Sequence, residues 1–139
     1  MESNNMKRTL FLAGPMRDVP RSHSLRWRQH VTKTLSNKFH ILHALRGREE
    51  KETFPDPKGA VVRDKQDILR SDLLIVDDSF ENASMIGTAM EVLFAYSHNK
   101  PVIVFGSAHK PNYWLDYHAT LRVENVEKAC QIAIDLFAE

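Results

Sequence analysis

Glu91 stands in an apolar run, Met90-Glu91-Val92-Leu93-Phe94-Ala95, where a carboxylate needs a partner or a task because burying it alone is costly. Its place near the expected start of a helix would let the helix dipole favour its charge. A second acid, Asp64, lies early in the preceding helical stretch, with Asp67 three residues on. The apolar segment Asp72 to Val76 lies between the turns that carry Asp64 and Glu91, so both acids can approach one end of it. Two carboxylates beside a sugar's anomeric carbon can do substitution chemistry: one attacks C1′, and the other supplies or removes a proton. On position alone, a solvent-facing helix-end glutamate is an equal alternative for Glu91. Solvated helix charges are the commoner fate of acids placed like Asp64 and Asp67.

Other chemistries find less support. The seven histidines form no HExxH pair, and His40 and His43, three apart on an expected strand, point to opposite faces. Cys130 is the only cysteine, so no intrachain disulfide or cysteine pair for zinc is available, and it falls within an apolar helical pattern. Ser79 and Ser84 lack the G-x-S-x-G elbow. We expect no metal, no cofactor, and no serine or cysteine nucleophile.

The elements that must position these acids alternate in type. Thr9 to Ala13 is a short apolar strand that delivers Gly14-Pro15 into a loop, and Arg21 to Leu35 is a one-faced helix rich in basic residues. Phe39 to Leu42 is a second strand, and the charged stretch 46–59, with Pro55 and Pro57, reads as a mobile loop. A helix over Ala60 to Arg70, a strand over Asp72 to Val76, a helix over Met85 to Ser97 and a strand over Val102 to Phe105 follow. After a loop holding Pro111 and Trp114, Thr120 to Val123 is a short fifth strand and Val126 to Phe137 an amphipathic helix. With 139 residues, one domain is expected, a doubly wound α/β fold with a five-stranded parallel sheet in the order 2-1-3-4-5. In such sheets ligands bind beyond the carboxyl ends of the strands at the switch point, here between the first and third strands. That rule selects Gly14 to Arg17, Asp77 to Ser79 and the start of the third helix.

Three segments, FLAGPMR, RDKQDILRSDLLIV and IGTAMEVLFAYSHNKPVIVF, appear in that order over residues 11–105. Together they resemble the nucleoside 2-deoxyribosyltransferase family, with its deoxynucleoside 5′-monophosphate N-glycosidase and cytidylate hydrolase relatives. The resemblance implies that Glu91, closing Gly87-Thr88-Ala89-Met90-Glu91, is the nucleophile at C1′. It places the proton-handling acid at Asp64, eight residues before Asp72, rather than at Asp67. It implies that Gly14 lets the backbone approach the sugar, with Pro15 and Met16 beside it, and that Arg17 meets a 5′-phosphate. Asp78, Ser84, Met85 and Gly87 complete the expected substrate contacts. Many members carry a serine six residues before the nucleophile, where this chain has Met85, with Ser84 one position earlier. Arg17 therefore argues for a phosphate and Met85 against it.

The implied reaction passes through a glycosyl-Glu91 ester and hands the deoxyribosyl group to another nucleobase or to water. A 2-deoxy sugar suits it, since a 2′-hydroxyl would draw electrons from the developing cation. Family sites are completed by a neighbouring subunit, so a homo-oligomer is expected, with Asn112 and Trp114 in the corresponding region. Of the other aromatic residues, Trp27, Tyr113 and Tyr117 are possible base-stacking partners, while Tyr96 is expected in the core. A non-enzymatic nucleotide-sensing module and a TIR-like NAD glycohydrolase remain alternative readings. Nineteen basic residues against 18 acidic ones give a formal charge of +1, which implies no nucleic-acid or membrane partner. The single cysteine and the polar residues 1–8 lead us to expect a cytoplasmic protein that acts on a small nucleoside or nucleotide.

Overall fold

The computed structural model describes residues 7–46 and 56–139. Apolar runs must be covered on both faces and form the central strands of a parallel sheet. The strands are β1 (Arg8–Ala13), β2 (Phe39–His43), β3 (Leu73–Asp77), β4 (Val102–Phe105) and β5 (Leu121–Val123), hydrogen-bonded in the order β2-β1-β3-β4-β5. The apolar runs give the three central strands, β1, β3 and β4, while the more polar β2 and β5 form the edges. All four strand pairs are parallel, and Ala13 stands opposite Val76, as Asp77 does opposite Phe105. The expected doubly wound sheet and its strand order are as observed.

Alternate strand residues feed two cores. On one face Leu10, Leu12, Leu73 and Ile75 pack against α1 (Arg21–Leu35) and α5 (Val126–Phe137), through residues such as Val31 and Ala133. On the other face Phe11, Ala13, Leu74 and Val76 meet α2 (Pro57–Arg70), α3 (Ile86–Ser97) and α4 (Tyr113–His118), through Ile68, Val92 and Leu115. The helices that carry Asp64 and Glu91 therefore share one face and contact each other.

Two elements depart from expectation. Helix α2 begins three residues early because Asp56 caps it, its carboxylate accepting from Gly59 N at 3.1 Å, and Pro57 supplies the fixed φ favoured in a first turn. The expected loop over 46–59 therefore gives way to helix from Pro57 onward, while residues 47–55 lie outside the described residues. The segment expected as a loop around Trp114 contains α4, capped by Asn112, whose side chain accepts from Leu115 N. Six residues are too few for a helical period to show in sequence.

Beyond β4, Gly106 adopts φ +91, and a Cβ there would lie 2.5 Å from the Asp78 carbonyl oxygen. Only glycine fits this turn.

Candidate active site

At the switch point between β1 and β3 a cleft of about 940 Å³ opens, walled by the β1–α1 loop, α2 and α3. Gly14, Pro15, Met16, Arg17, Asp64, Ser84, Gly87 and Glu91 all line it, so most of the residues selected from sequence converge. Apolar side chains, among them Val61, Ile68, Leu93 and Phe94, form much of the remaining wall.

Glu91 and Asp64 are hydrogen-bonded to each other through their side chains. Two carboxyls in this contact must share a proton, because two adjacent carboxylates would repel. Desolvation pushes Glu91 well above the ordinary glutamate range, and the charge of Asp64 adds to this while Arg28 opposes it. Desolvation also raises Asp64, against the hydrogen bond from Glu91. Glu91 is the sixth residue of α3, beyond the first turn where a helix dipole acts, so its partner is Asp64 and not the dipole invoked from sequence.

The loop after β1 is tied from below. Arg28, on α1, donates to the carbonyls of Gly14 and Ser24, each at 3.0 Å, and Ser24 Oγ donates to the Pro15 carbonyl at 3.4 Å. A Cβ on Gly14 would come within 3.0 Å of both Asp77 Cβ and Trp27 Cζ2, so this glycine lets α1 and β3 close on the loop. Arg17 and Ser84 lie on the same wall, joined by a Ser84 N–H to Arg17 carbonyl bond at 3.4 Å. Met85 holds the N-cap position of α3 and packs on the core, while Ser84 lines the cleft, as do Thr88 and Ser97.

Several sequence choices fall elsewhere. Asp78 is fully buried and does not line the cleft; its carboxylate accepts from His109 N at 3.0 Å and Arg122 Nη1 at 3.0 Å and contacts His109 Nδ1 at 2.7 Å. It is the neighbouring Asp77 that abuts Gly14, held by His23 at 2.9 Å and Ser79 Oγ at 2.5 Å. Met85, as described, packs on the core and is absent from the wall. Asn112 spends its side chain on capping α4, and Trp114 is 74% exposed outside the cleft. Within one chain neither can touch a ligand between Arg17 and Glu91. Trp27 is buried against Phe105 and does not stack on a ligand, and Tyr96, expected in the core, is exposed beside Tyr117 and His118.

Asp67 has a different task from Asp64. Burial would raise its carboxyl, but hydrogen bonds from Arg46 and Arg70 outweigh that and hold it below the ordinary range. Burial pushes the Cys130 thiol up to about 11, so it carries no thiolate at neutral pH. Among the described residues no cluster of His, Cys, Asp or Glu is suited to a metal ion, and no helix is long and apolar enough to cross a membrane.

Arg28 was missed in sequence. It is 1% exposed, stacks over Trp27 at 4.8 Å, and lines the cleft. The signal was there: Ser24, Arg28, Val31 and Leu35 recur at helical spacing, which puts Arg28 on the buried stripe of α1.

The fold and the cleft define a class, a flavodoxin-like α/β protein with a carboxylate pair at its topological switch point. Solved structures with this fold include a 2-deoxyribosyltransferase from Bacillus psychrosaccharolyticus, 16% identical, with a TM-score of 0.69 over 87% of this chain and 89% of the other. A CMP N-glycosidase from Clostridium botulinum is likewise 16% identical, with a TM-score of 0.64 over 94% and 99%. A conserved protein from Enterococcus faecalis V583 matches at 17% identity and a TM-score of 0.61, over 90% and 96%. No protein-family model matches the chain, and no curated protein matches it by sequence. The fold is thus that of the deoxyribosyltransferases and their N-glycosidase relatives.

Proposed function

We propose that this protein cleaves the N-glycosidic bond of a 2′-deoxynucleoside or its 5′-monophosphate and transfers the deoxyribosyl group to another nucleobase. The observation that carries this reading is the hydrogen-bonded Glu91–Asp64 pair on the wall of a cleft large enough for a nucleotide. In the first step the pair's proton passes from Glu91 to Asp64, a Glu91 carboxylate oxygen bonds to C1′ as the C1′–N bond breaks, and the departing base nitrogen takes that proton from Asp64. In the second, the nitrogen of an incoming base attacks C1′, gives its proton to Asp64, and releases Glu91. Gly14 and Pro15 face the sugar, Met16 flanks them, and Gly87, with nothing within 4 Å of its missing Cβ, leaves room beside Glu91.

A second reading, transfer to water from a 5′-monophosphate, is favoured by Arg17 and Ser84 sharing one wall, where a cation and a hydroxyl suit a phosphate. Incubating the protein with deoxynucleosides and their monophosphates, with and without a second base, tests both. Free base should appear, and a new nucleoside should form when the second base is present. Tight binding with no turnover would point to a nucleotide-sensing module, and nicotinamide release from NAD to a NAD glycohydrolase.

We further read the protein as a homo-oligomer, with Asn112 and Trp114 serving a neighbouring subunit's site. The support is an apolar face that α3 and α4 leave exposed, with Met90 and Ile86 at the cleft and Tyr113, Trp114 and Tyr117 beyond it. Sedimentation should give a dimer or larger species, reduced to monomer by Trp114→Glu. A wild-type monomer at micromolar concentration would rule this out.

A further inference from the structure

Arg28 is the most deeply buried cation among the described residues, and the two proposed chemical steps give it no role. It reaches the cleft from α1, on the opposite face of the sheet from α2 and α3, by way of the Gly14 carbonyl. Its two terminal nitrogens are committed to the carbonyls of Gly14 and Ser24, while its buried Nε has no hydrogen-bond partner. A guanidinium fixed in this way cannot swing to a ligand. It is also a poor stabiliser of the fold, since a buried cation with an unsatisfied donor costs more than an apolar side chain of similar size.

The charges around it explain its place. Glu91 on α3, Asp77 on β3 and Asp64 on α2 all act on Arg28, in that order, and their attraction opposes the burial that lowers its pKa to about 10. It therefore remains a cation at neutral pH. The other charged groups near the acids are spoken for or act on one acid alone. Asp77 is held by His23 and Ser79, Asp67 by Arg46 and Arg70 although its charge still acts on Asp64, Arg63 acts on Asp64, and Arg17 and Lys65 also line the wall. Among the described residues Arg28 is the cation that acts on both Glu91 and Asp64.

We propose that Arg28 is a positioning residue for the Glu91–Asp64 pair, a fixed cation that keeps the pair's negative charge in place and locks it to the Gly14 loop. The proposal rests on the functional reading only for its consequence in catalysis; the electrostatic role stands without it. If Arg28 were absent, two desolvated carboxyls would face each other with no compensating charge and would hold their protons to higher pH.

Two substitutions separate the charge from the hydrogen bonds. Arg28→Gln keeps an amide donor for the Gly14 carbonyl and removes the charge; Arg28→Lys keeps the charge and loses the fork. Infrared titration of the protonated carboxyl band, in protein without substrate and assigned by its loss in Glu91→Gln, reads the pair directly. Arg28→Gln should move the band's midpoint upward by about one pH unit or more, a tenfold change in the protonation equilibrium. Arg28→Lys should move it by less than half as much. The acidic limb of kcat/KM should follow the same order. An unmoved midpoint in folded Arg28→Gln, or equal shifts in the two variants, would overturn the proposal. If the band shifts as expected while no nucleoside is cleaved, Arg28 keeps its role and the functional reading fails. Should Arg28→Gln not fold, Arg28→Lys decides: a midpoint within half a pH unit of wild type supports the proposal, and a larger upward shift overturns it.

Discussion

Glu91→Gln is expected to abolish base release, lowering kcat by roughly 10⁴-fold or more while the protein stays folded. The amide matches the carboxylate in shape and can hydrogen-bond to Asp64, but it cannot attack C1′ as an anion. Its effect on stability should run opposite to that of most active-site losses. Glu91 is pushed well above the ordinary glutamate range in the fold, so the folded chain binds more protons than the unfolded one between the two values. Stability therefore falls as pH rises from the ordinary range through the raised one, and ionised Glu91 destabilises the fold above that window. The glutamine variant lacks this penalty. Its melting temperature should equal or exceed that of wild type at alkaline pH, with the difference shrinking as pH falls below the ordinary carboxyl range. Thermal melts across that range, set beside product analysis, check both parts. Retained base release would remove Glu91 from the chemistry, and a variant less stable at high pH would show that desolvation does not dominate its environment.

What the sequence made legible follows from what parallel sheets require. TLFLA, LLIV and VIVF are covered on both faces and so read as continuous apolar runs, each ended by a residue that starts a loop. Once the strand order is fixed, the strand ends fix the cleft, which selects Gly14 and the start of α3, while the choice of Asp64 and Glu91 as its acids rested on the resemblance of the three ordered segments. Side-chain direction at a loop was not legible in the same way. Asp77-Asp78-Ser79 presents two adjacent acids, and backbone geometry alone turns Asp78 toward His109 and Arg122 and Asp77 toward His23. At Ser84-Met85 the deciding factor is that α3 starts at Ile86, so Met85 falls on the core side. Arg28 was hidden by company: Arg21, Arg26 and Lys33 share its helix, and a basic helix reads as a solvated face unless each charge is set against the apolar stripe.

Asp64→Asn should be the more instructive substitution, because its cost should depend on the leaving group. If Asp64 delivers the proton that the departing base nitrogen needs, its loss lowers kcat by about 10²–10⁴-fold on ordinary nucleosides. A deoxyribosyl donor with a leaving group stable as an anion, such as p-nitrophenolate, needs no proton and should lose far less. Equal losses on both donors would show that Asp64 only holds Glu91 in position. The pH profile supplies an independent check. Glu91 is raised first by desolvation and next by the charge of Asp64, so neutralising Asp64 removes the second cause and leaves the first. The acidic limb of kcat/KM, set by ionisation of the pair, should therefore move to lower pH. The basic limb, set by loss of the proton that Asp64 holds, should flatten. A residue with a merely structural place in α2 would move the limbs little, and Asp67, three residues on and bound to Arg46 and Arg70, is the natural comparison. Asp67→Asn should reduce thermal stability and, by removing a charge that raises Asp64, move the limbs only slightly and without loss of kcat, so that two acids three residues apart separate into one that sets the chemistry and one that holds the helix.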